Sequence, residues 1–186
     1  MMQKLNNEAL QRLSVAKFQQ APKQPIVLVL DNIRSMHNIG AAFRIADAFL
    51  LEKLYLCGIT ASPPHREIHK TALGAENSVA WEYVADITTL VPSLKNAGYV
   101  ITACEQTTES ITLGTYQADL LQKHAFIFGN EVFGVQDHVL PLCDMALEIP
   151  QYGTKHSLNV SVSMGIVVWD IVQGITTSQH RRAPDA

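Results

Sequence analysis

The stretch over residues 125–170 constrains the fold most, because two strand patterns within it each run into a polar loop. The apolar run at residues 125–128 leads directly into a glycine loop, residues 129–134, which carries a carboxylate at Glu131. A second strand pattern at residues 146–149 leads through another polar loop into a long apolar segment. Parallel strands deliver such loops to one edge of a sheet, where ligands bind in open α/β folds. We therefore expect both loops to meet at a ligand site.

The rest of the chain alternates between strand and helix patterns. Short apolar runs at residues 26–30, 54–57 and 99–104 have the length and composition of buried strands. Helical patterns follow several of these runs, and this succession predicts an α/β fold: a mostly parallel sheet with helices on both faces. Because the sequence shows no repeat and no linker, residues 1–186 are predicted to form a single domain.

Both ends of the chain are predicted to lie outside the sheet. A docking helix is predicted over residues 3–18, with an apolar stripe formed by Leu5, Ala9, Leu13 and Ala16. The last long helix is predicted from about Ser157 to Val172. It is apolar nearly all round, which indicates burial on more than one side, in part against a second subunit. Residues 174–186 are polar and predicted to be a frayed tail.

Composition points to a cytoplasmic protein with reduced thiols. Hydrophobic residues make up 47% of the 186, yet no apolar run reaches the roughly 18 residues that a membrane span needs. The polar N-terminal segment lacks the features of a secretory signal. Three widely spaced cysteines suggest neither a disulfide framework nor a zinc site. The net charge of −3 counts mildly against a dedicated nucleic-acid binder, but a local basic patch would suffice for RNA.

The loop after the first strand carries a candidate anion site. Asn38 is a reasonable N-cap for the helix that follows, and helix N-termini favour anions. Gly40 and Arg44 share a helix face, so the glycine is expected to leave room there for a bulky group. Arg34, His37 and Arg44 could bind a phosphate or a ribose. The alternative is a capped helix with surface arginines.

Several common motifs are absent from the sequence. No two glycines are separated by a single residue, which excludes the dinucleotide-binding GxGxxG pattern. Gly129 and Gly134 have P-loop spacing, but Val135 and Gln136 follow where Lys and Ser or Thr are required. No serine lies in a GxSxG elbow, and no His or Cys cluster has metal-binding spacing, so no metal is expected.

Three motifs occur in order: N-I-R-S-x-x-N-x-G-x-x-x-R over residues 32–44, F-G-N-E-x-x-G over 128–134, and I-P-x-x-G-x-x-x-S-L-N-V-S-V over 149–162. Together they resemble the SpoU/TrmH family of RNA ribose 2'-O-methyltransferases, in the SPOUT superfamily, and the resemblance covers residues 25–173. It implies a sheet whose C-terminal part forms a deep trefoil knot, a homodimer, and S-adenosylmethionine as cofactor.

The resemblance also assigns residues to roles. The implied cofactor-binding residues, with help from the segment near Cys104, are Gly129, Ile149 and Leu158. The implied catalytic residues are Asn38, Arg44, Glu131, Ser157 and Asn159. Arg44 is expected to clamp a phosphate and stabilise a developing alkoxide, since guanidinium stays protonated. Glu131 is expected to orient Arg44 or Asn38. The alternative for Ser157 and Asn159 is helix capping alone.

RNA, rather than DNA, is the expected nucleic acid. The stretches 71–76 and 98–107 resemble the branch that methylates a D-loop guanosine of tRNA, the guanosine-18 type, and the short N-terminal segment favours tRNA. Ribosomal RNA, the wobble ribose of tRNA and a non-catalytic RNA-binding role stay open. The RNA-contacting face is expected to consist of Arg34, Arg44, His65, Arg66, Lys70, Lys155 and His156.

Overall fold

A single seven-stranded parallel sheet forms the centre of the molecule. The computed structural model describes residues 2–6, 10, 12–119 and 121–182, and side chains as far as Gly174. The strands are β1 (Gln24–Asp31), β2 (Leu51–Cys57), β3 (Trp81–Val84), β4 (Tyr99–Cys104), β5 (Ile111–Thr112), β6 (Lys123–Phe128) and β7 (Met145–Glu148). They lie in the order β3-β2-β1-β6-β4-β7-β5, and every neighbouring pair is parallel. The predicted parallel sheet is confirmed.

Helices cover both faces of the sheet, as predicted. They are α1 (Val15–Gln20), α2 (Met36–Ala48), α3 (Arg66–Ala72), α4 (Ile87–Asn96) and α5 (Val160–Arg182). Helices α2, α3 and α5 share one apolar core with the sheet, and α4 packs in a second core on the other face. The central strands β1 and β6 are buried on both faces, which explains their continuous apolar runs. No helix in the described part is long and apolar enough to cross a membrane.

Helix α2 begins earlier than predicted, and its cap is a different residue. The hydroxyl of Ser35, in extended backbone, accepts a hydrogen bond from the N–H of Asn38. Ser35 is therefore the N-cap, and the prediction of Asn38 in that role is wrong. Asn38 instead lies in the first turn of the helix, where its side chain can bond elsewhere.

The predicted N-terminal helix over residues 3–18 is also wrong. Helix α1 covers only Val15–Gln20 and is capped by the hydroxyl of Ser14. Residues 2–6 and 12–14 are not helical, Leu5 and Leu13 are exposed, and Ala9 lies outside the described residues. In α1 only Phe18 reaches the core, so the apolar stripe predicted for residues 3–18 has no surface to pack against.

The last helix is longer than predicted. It begins at Val160 rather than at Ser157 and continues to Arg182, so much of the predicted frayed tail at 174–186 is helical. Residues 183–186 lie outside the described residues. No proline lies between Val160 and Pro184, and a polar composition alone does not end a helix.

The long connection after β2 contains helix α3, which fills the space beside Gly40. A Cβ atom at Gly40 would lie 2.0 Å from Oγ1 of Thr71 and 2.5 Å from the carbonyl oxygen of Ile68. The glycine therefore lets α2 and α3 pack closely. The expectation that it leaves room for a bulky group is wrong, because α3 occupies that room.

We predict that Gly40→Ala destabilises the fold. Because the added methyl group would overlap backbone atoms of α3, the free energy of unfolding should fall by about 2 kcal/mol. The matched control is Gly174→Ala, another helical position, where a Cβ would meet no atom within 4 Å. That control should be neutral or stabilise by up to about 1 kcal/mol. Chemical denaturation measures both, and equal effects would contradict the close packing of α2 on α3.

Candidate active site

A cleft of about 700 Å³ opens at the carboxyl ends of β4, β6 and β7, beside the first turns of α5. Most of its wall consists of the segments 104–106, 128–135, 147–149 and 156–160. The loops after β6 and β7 therefore line one cavity, as the sequence predicted.

Six of the eight assigned site residues line this cleft. They are Gly129, Glu131, Ile149, Ser157, Leu158 and Asn159. Cys104, at the end of β4, is part of the same wall. Asn38 and Arg44 do not line it.

The cleft is acidic. Its lining includes four acidic residues: Glu105, Glu131, Asp137 and Glu148. Among the residues that the structure describes, no lysine or arginine lines it, and His156 is its one basic side chain. The fixed charges thus favour a cationic ligand and disfavour phosphate groups.

Two glycines allow the loop after β6 to fold tightly. A Cβ atom at Gly129 would lie 2.1 Å from the carbonyl carbon of Gly134. At Gly134, where φ is +66°, a Cβ atom would lie 2.1 Å from Oε2 of Glu105. Neither position accepts a side chain, so backbone atoms form this part of the cleft wall.

Asn130 holds the loop in shape, and sequence reasoning missed it. Its Oδ1 accepts hydrogen bonds from the N–H groups of Val132 and Phe133, at 2.9 and 3.2 Å. Its Nδ2 donates to the carbonyl of Asn32 at 2.7 Å, which ties this loop to the one after β1. Asparagine directly after a strand-ending glycine was the available signal, because its side chain often bonds to nearby backbone.

Glu131 completes the link between the two loops. Its carboxylate accepts hydrogen bonds from the N–H of Arg34 (2.9 Å), the N–H of Ser35 (2.9 Å) and Nδ2 of Asn38 (3.0 Å). Partial burial alone would raise the pKa of Glu131, but these donors outweigh burial and hold the pKa below its ordinary value of 4.5. Of the two partners expected for Glu131, the structure shows Asn38.

Arg44 lies apart from this network. It is exposed on α2 and makes no hydrogen bond or ion pair with any residue that the structure describes. Arg34 is likewise exposed, and only its backbone is bound by Glu131. His37 lies 3.9 Å from Glu67 of α3. None of the three basic side chains of the predicted anion site lines the cleft described above.

Ser157 and Asn159 have different structural roles. Oδ1 of Asn159 accepts from the N–H and the hydroxyl of Ser161, at 2.9 and 2.7 Å, so Asn159 caps α5. Ser157 precedes the helix by three positions, and its hydroxyl has no partner among the described residues. Capping therefore does not explain Ser157, which is exposed at the cleft and available to a ligand.

The segment near Cys104, at the end of β4, was expected to help bind the cofactor. The next two residues, Glu105 and Gln106, also hold the neighbouring loops. Oε2 of Glu105 accepts from the N–H of Val135, and Nε2 of Gln106 donates to the carbonyl of His156, both at 2.9 Å. These bonds join the loops after β4, β6 and β7 around one cavity. A carboxylate and an amide at a strand end were visible in the sequence, but their partners were not.

The parallel sheet and the acidic cleft at its carboxyl edge define an α/β protein with a candidate ligand site whose loops are joined by side-chain hydrogen bonds. The chain belongs to the SpoU rRNA Methylase family, whose model matches residues 25–169. The resemblance inferred from the three motifs is thereby confirmed.

The relatives that the chain resembles are named as methyltransferases of either 23S ribosomal RNA or tRNA. The chain is 33% identical over 144 residues to the 23S rRNA (guanosine-2'-O-)-methyltransferase RlmB of Neisseria meningitidis, a match over 77% of this chain and 56% of the relative. It is 28% identical to the tRNA (guanosine(18)-2'-O)-methyltransferase of Aquifex aeolicus, over 80% and 69% of the two chains. The chain spans about half the length of several RlmB relatives that it matches.

Solved structures share the fold. The TrmH/SpoU tRNA modifying enzyme of A. aeolicus superimposes with a TM-score of 0.76 and 25% identity, over 89% of this chain and 84% of that one. AviRb of Streptomyces viridochromogenes in complex with AdoMet gives a TM-score of 0.74 at 21% identity, over 86% and 64%. At 21% identity the second likeness supports the fold alone.

We predict that Glu131→Gln loosens the loop after β1. A neutral amide offers one acceptor oxygen where the carboxylate uses two, so the free energy of unfolding at pH 7 should fall by about 1 kcal/mol at this partly exposed site. Hydrogen exchange at the amides of Arg34 and Ser35 should accelerate. Because the folded-state pKa is lowered, the wild-type advantage should be present above pH 4.5 and should fade as the pH drops below it.

The control is Glu109→Gln, since the exposed carboxylate of Glu109 has no partner among the described residues. It should leave stability and amide exchange unchanged. If Glu131→Gln behaved in the same way at every pH, the carboxylate would not hold the loop.

Proposed function

We propose that this protein transfers a methyl group from S-adenosylmethionine to the ribose 2'-hydroxyl of a guanosine in RNA. The acidic cleft carries the proposal, because the second and third ordered motifs meet in its wall and Glu131 ties the first motif to it. Membership in the SpoU family and the names of the relatives agree with this activity.

S-adenosylmethionine fits the cleft in charge and in wall structure. Backbone at Gly129, Ile149 and Leu158 would hold it, since a side chain at Gly129 would collide with the loop itself. The acidic lining complements the positive sulfonium, whose chemistry supplies an activated methyl group on a good leaving group. With activation supplied in this way, the protein's main task is to position the ribose hydroxyl.

We also propose that the C-terminal part of the chain forms a deep trefoil knot. Strand β7 lies between β4 and β5, although it follows both in sequence. The link over residues 105–110 therefore bridges the carboxyl end of β7, from which the chain leaves toward α5. The bond from Gln106 to the carbonyl of His156 places the outgoing segment against that bridge.

The catalytic roles follow from the chemistry of each side chain. Arg44 binds the phosphate next to the target ribose and stabilises the negative charge that develops on the 2'-oxygen. Glu131 fixes the amide of Asn38, so that Asn38 presents a defined orientation beside the substrate. Ser157 and Asn159 contact the substrate from the cleft wall. Because guanidinium is not a base near neutral pH, Arg44 does not take the proton of the 2'-hydroxyl. That proton passes to a water molecule as the bond from oxygen to the methyl group forms and the bond from the methyl group to sulfur breaks, which leaves a neutral thioether.

A homodimer would bring Arg44 to a cleft. One face of α5 leaves apolar side chains exposed, at Val162, Ile166 and Trp169, and the Trp169 ring contacts Phe49 at the end of α2. We propose that two copies pair through this face. Arg44 of one copy then serves the cleft of the other, which accounts for an arginine that lies outside the cleft described above.

The RNA is proposed to be tRNA, with 23S ribosomal RNA as the second candidate. The resemblance of residues 71–76 and 98–107 to enzymes acting on the D-loop supports tRNA, and the name of the Aquifex relative agrees. The Neisseria relative supports ribosomal RNA. All seven residues of the expected RNA face are exposed, although Lys70 is paired with Glu67. We propose a cytoplasmic location with either RNA, because both RNAs occur there.

We predict that label from methyl-labelled S-adenosylmethionine enters tRNA, assayed in parallel with ribosomal RNA. Arg44→Ala should lower the rate by about 100-fold or more, because the charge on the 2'-oxygen loses its donor. Arg44→Lys should recover only part of the rate, since lysine cannot bind a phosphate through two parallel bonds. Arg12→Ala, on the exposed N-terminal segment, is the control and should be silent. Cofactor and RNA binding with no transfer to either RNA would favour a non-catalytic RNA-binding protein.

We predict that two inactive variants restore activity when mixed. Arg44→Ala lacks the arginine, and Ser157→Trp blocks the cleft with a ring at an exposed position that has no hydrogen bond to lose. After subunit exchange, each mixed dimer holds one intact site, so an equal mixture should recover about one quarter of the wild-type rate. Dimer formation by both variants is checked by light scattering. No recovery in a confirmed mixed dimer would mean that Arg44 serves the cleft of its own chain.

A further inference from the structure

The tip of the loop after β6 holds an aromatic ring in water. Phe133 lines the rim of the cleft, and 81% of its surface is exposed. Its neighbour Val132 is exposed as well. On the loop after β7, Tyr152 is 94% exposed, next to the cleft-lining Gln151. Two of the segments that line the cleft thus each carry a solvent-facing aromatic side chain.

The exposure of Phe133 is built into the loop. Oδ1 of Asn130 accepts from its N–H and from that of Val132, and the N–H of Gly134 donates to the carbonyl of Asn130 at 2.8 Å. These bonds close the turn with Phe133 at its tip. The ring stacks on no other ring in the described part of the chain. An apolar ring held in this way is positioned for a ligand rather than for the core.

Charge and covalent structure together identify that ligand. The acidic cleft repels phosphate groups and the ring of Phe133 offers them no hydrogen-bond donor, so the phosphate next to the target ribose is left to Arg44. A nucleobase is flat and uncharged, and every base can stack on an aromatic ring. The base is bonded to C1' of the ribose, the atom next to C2'. When the 2'-hydroxyl enters the cleft, its own base must therefore lie at the rim.

We propose that Phe133 stacks on the base of the nucleotide that is methylated, after that base has left its stack in the RNA. Tyr152 supplies a second aromatic surface for the same nucleotide. This inference rests on the proposed function and adds to it the group that binds the base. Stacking is tolerant of base identity, so Phe133 contributes affinity and placement, and discrimination between bases belongs to other groups.

The test uses a synthetic RNA hairpin that contains the nucleotide methylated by the wild type, with and without its base at that position. Phe133→Ala should weaken binding of the complete hairpin by about 10- to 100-fold. Phe133→Trp should retain binding, and Phe133→Leu should not, because the flat ring is the feature required. Removal of the base should weaken binding to the wild type more than binding to Phe133→Ala, since the stack on Phe133 is already lost in that variant.

Three readouts separate this role from others. Affinity for S-adenosylmethionine and the oligomeric state should be unchanged in Phe133→Ala, and Leu121→Ala, an exposed apolar side chain outside the cleft, should bind the hairpin like the wild type. Equal losses on base removal in wild type and Phe133→Ala would overturn the stack. A dissociated dimer in Phe133→Ala would assign the ring to the subunit interface instead. If the wild type methylated no RNA, the proposed function itself would fail, which is a different result.

Discussion

The bonds between the loops after β1 and β6 are the constraint on which the site depends. These two strands are neighbours in the sheet, with Leu30 beside Phe128, so their loops leave the same edge side by side. Asn130 and Glu131 then bind the neighbouring loop through its backbone, at Asn32, Arg34 and Ser35. Backbone N–H groups at a helix start need acceptors, and here a carboxylate from another strand supplies them. The start of α2 is therefore set by the loop that lines the cleft.

This arrangement joins the loops of the cleft wall through hydrogen bonds as well as through apolar packing. Glycine at positions 129 and 134 lets backbone approach backbone, and the side chain of Glu105 occupies the space that a Cβ at Gly134 would need. Polar groups that would otherwise lack partners are bonded inside the protein. A ligand that enters meets donors and acceptors already fixed in place, and less conformational freedom is lost when it binds.

The sequence predicted what depends on local pattern. Strands β1 and β6 appeared as apolar runs at residues 26–30 and 125–128, and the structure extends each by only a few residues. Helix limits were less predictable, because α1 is confined to Val15–Gln20 by its cap and by the lack of a surface to cover, whereas α5 continues as far as Arg182. The sequence pattern alone shows neither which residue caps a helix nor whether a surface is available for the helix to pack against.

Contacts between segments that are far apart along the chain could not be predicted from the sequence. Motif matching selected Glu131 and Asn38 as site residues, but only the coordinates show that one binds the other. Asn130 was passed over, although its side chain makes three hydrogen bonds to backbone, because an asparagine in a loop has many local uses. Gly40 was expected to leave room for a bulky group. Helix α3, which the sequence pattern did not predict in the long connection after β2, fills that space.

The separation of charges explains why the site residues do not all converge in one chain. A cleft suited to a sulfonium cation is acidic, and the same acidity would repel the phosphates on either side of a target ribose. A cation inside the cleft would relieve that repulsion but would also compete with the cofactor for the carboxylates. Arg44 is exposed on α2 and has no partner among the residues that the structure describes. Under the proposed function it avoids this conflict, because it lies outside the cleft of its own chain. Under this division one surface binds the methyl donor and another binds the backbone of the acceptor, and transfer becomes possible only where the two surfaces meet.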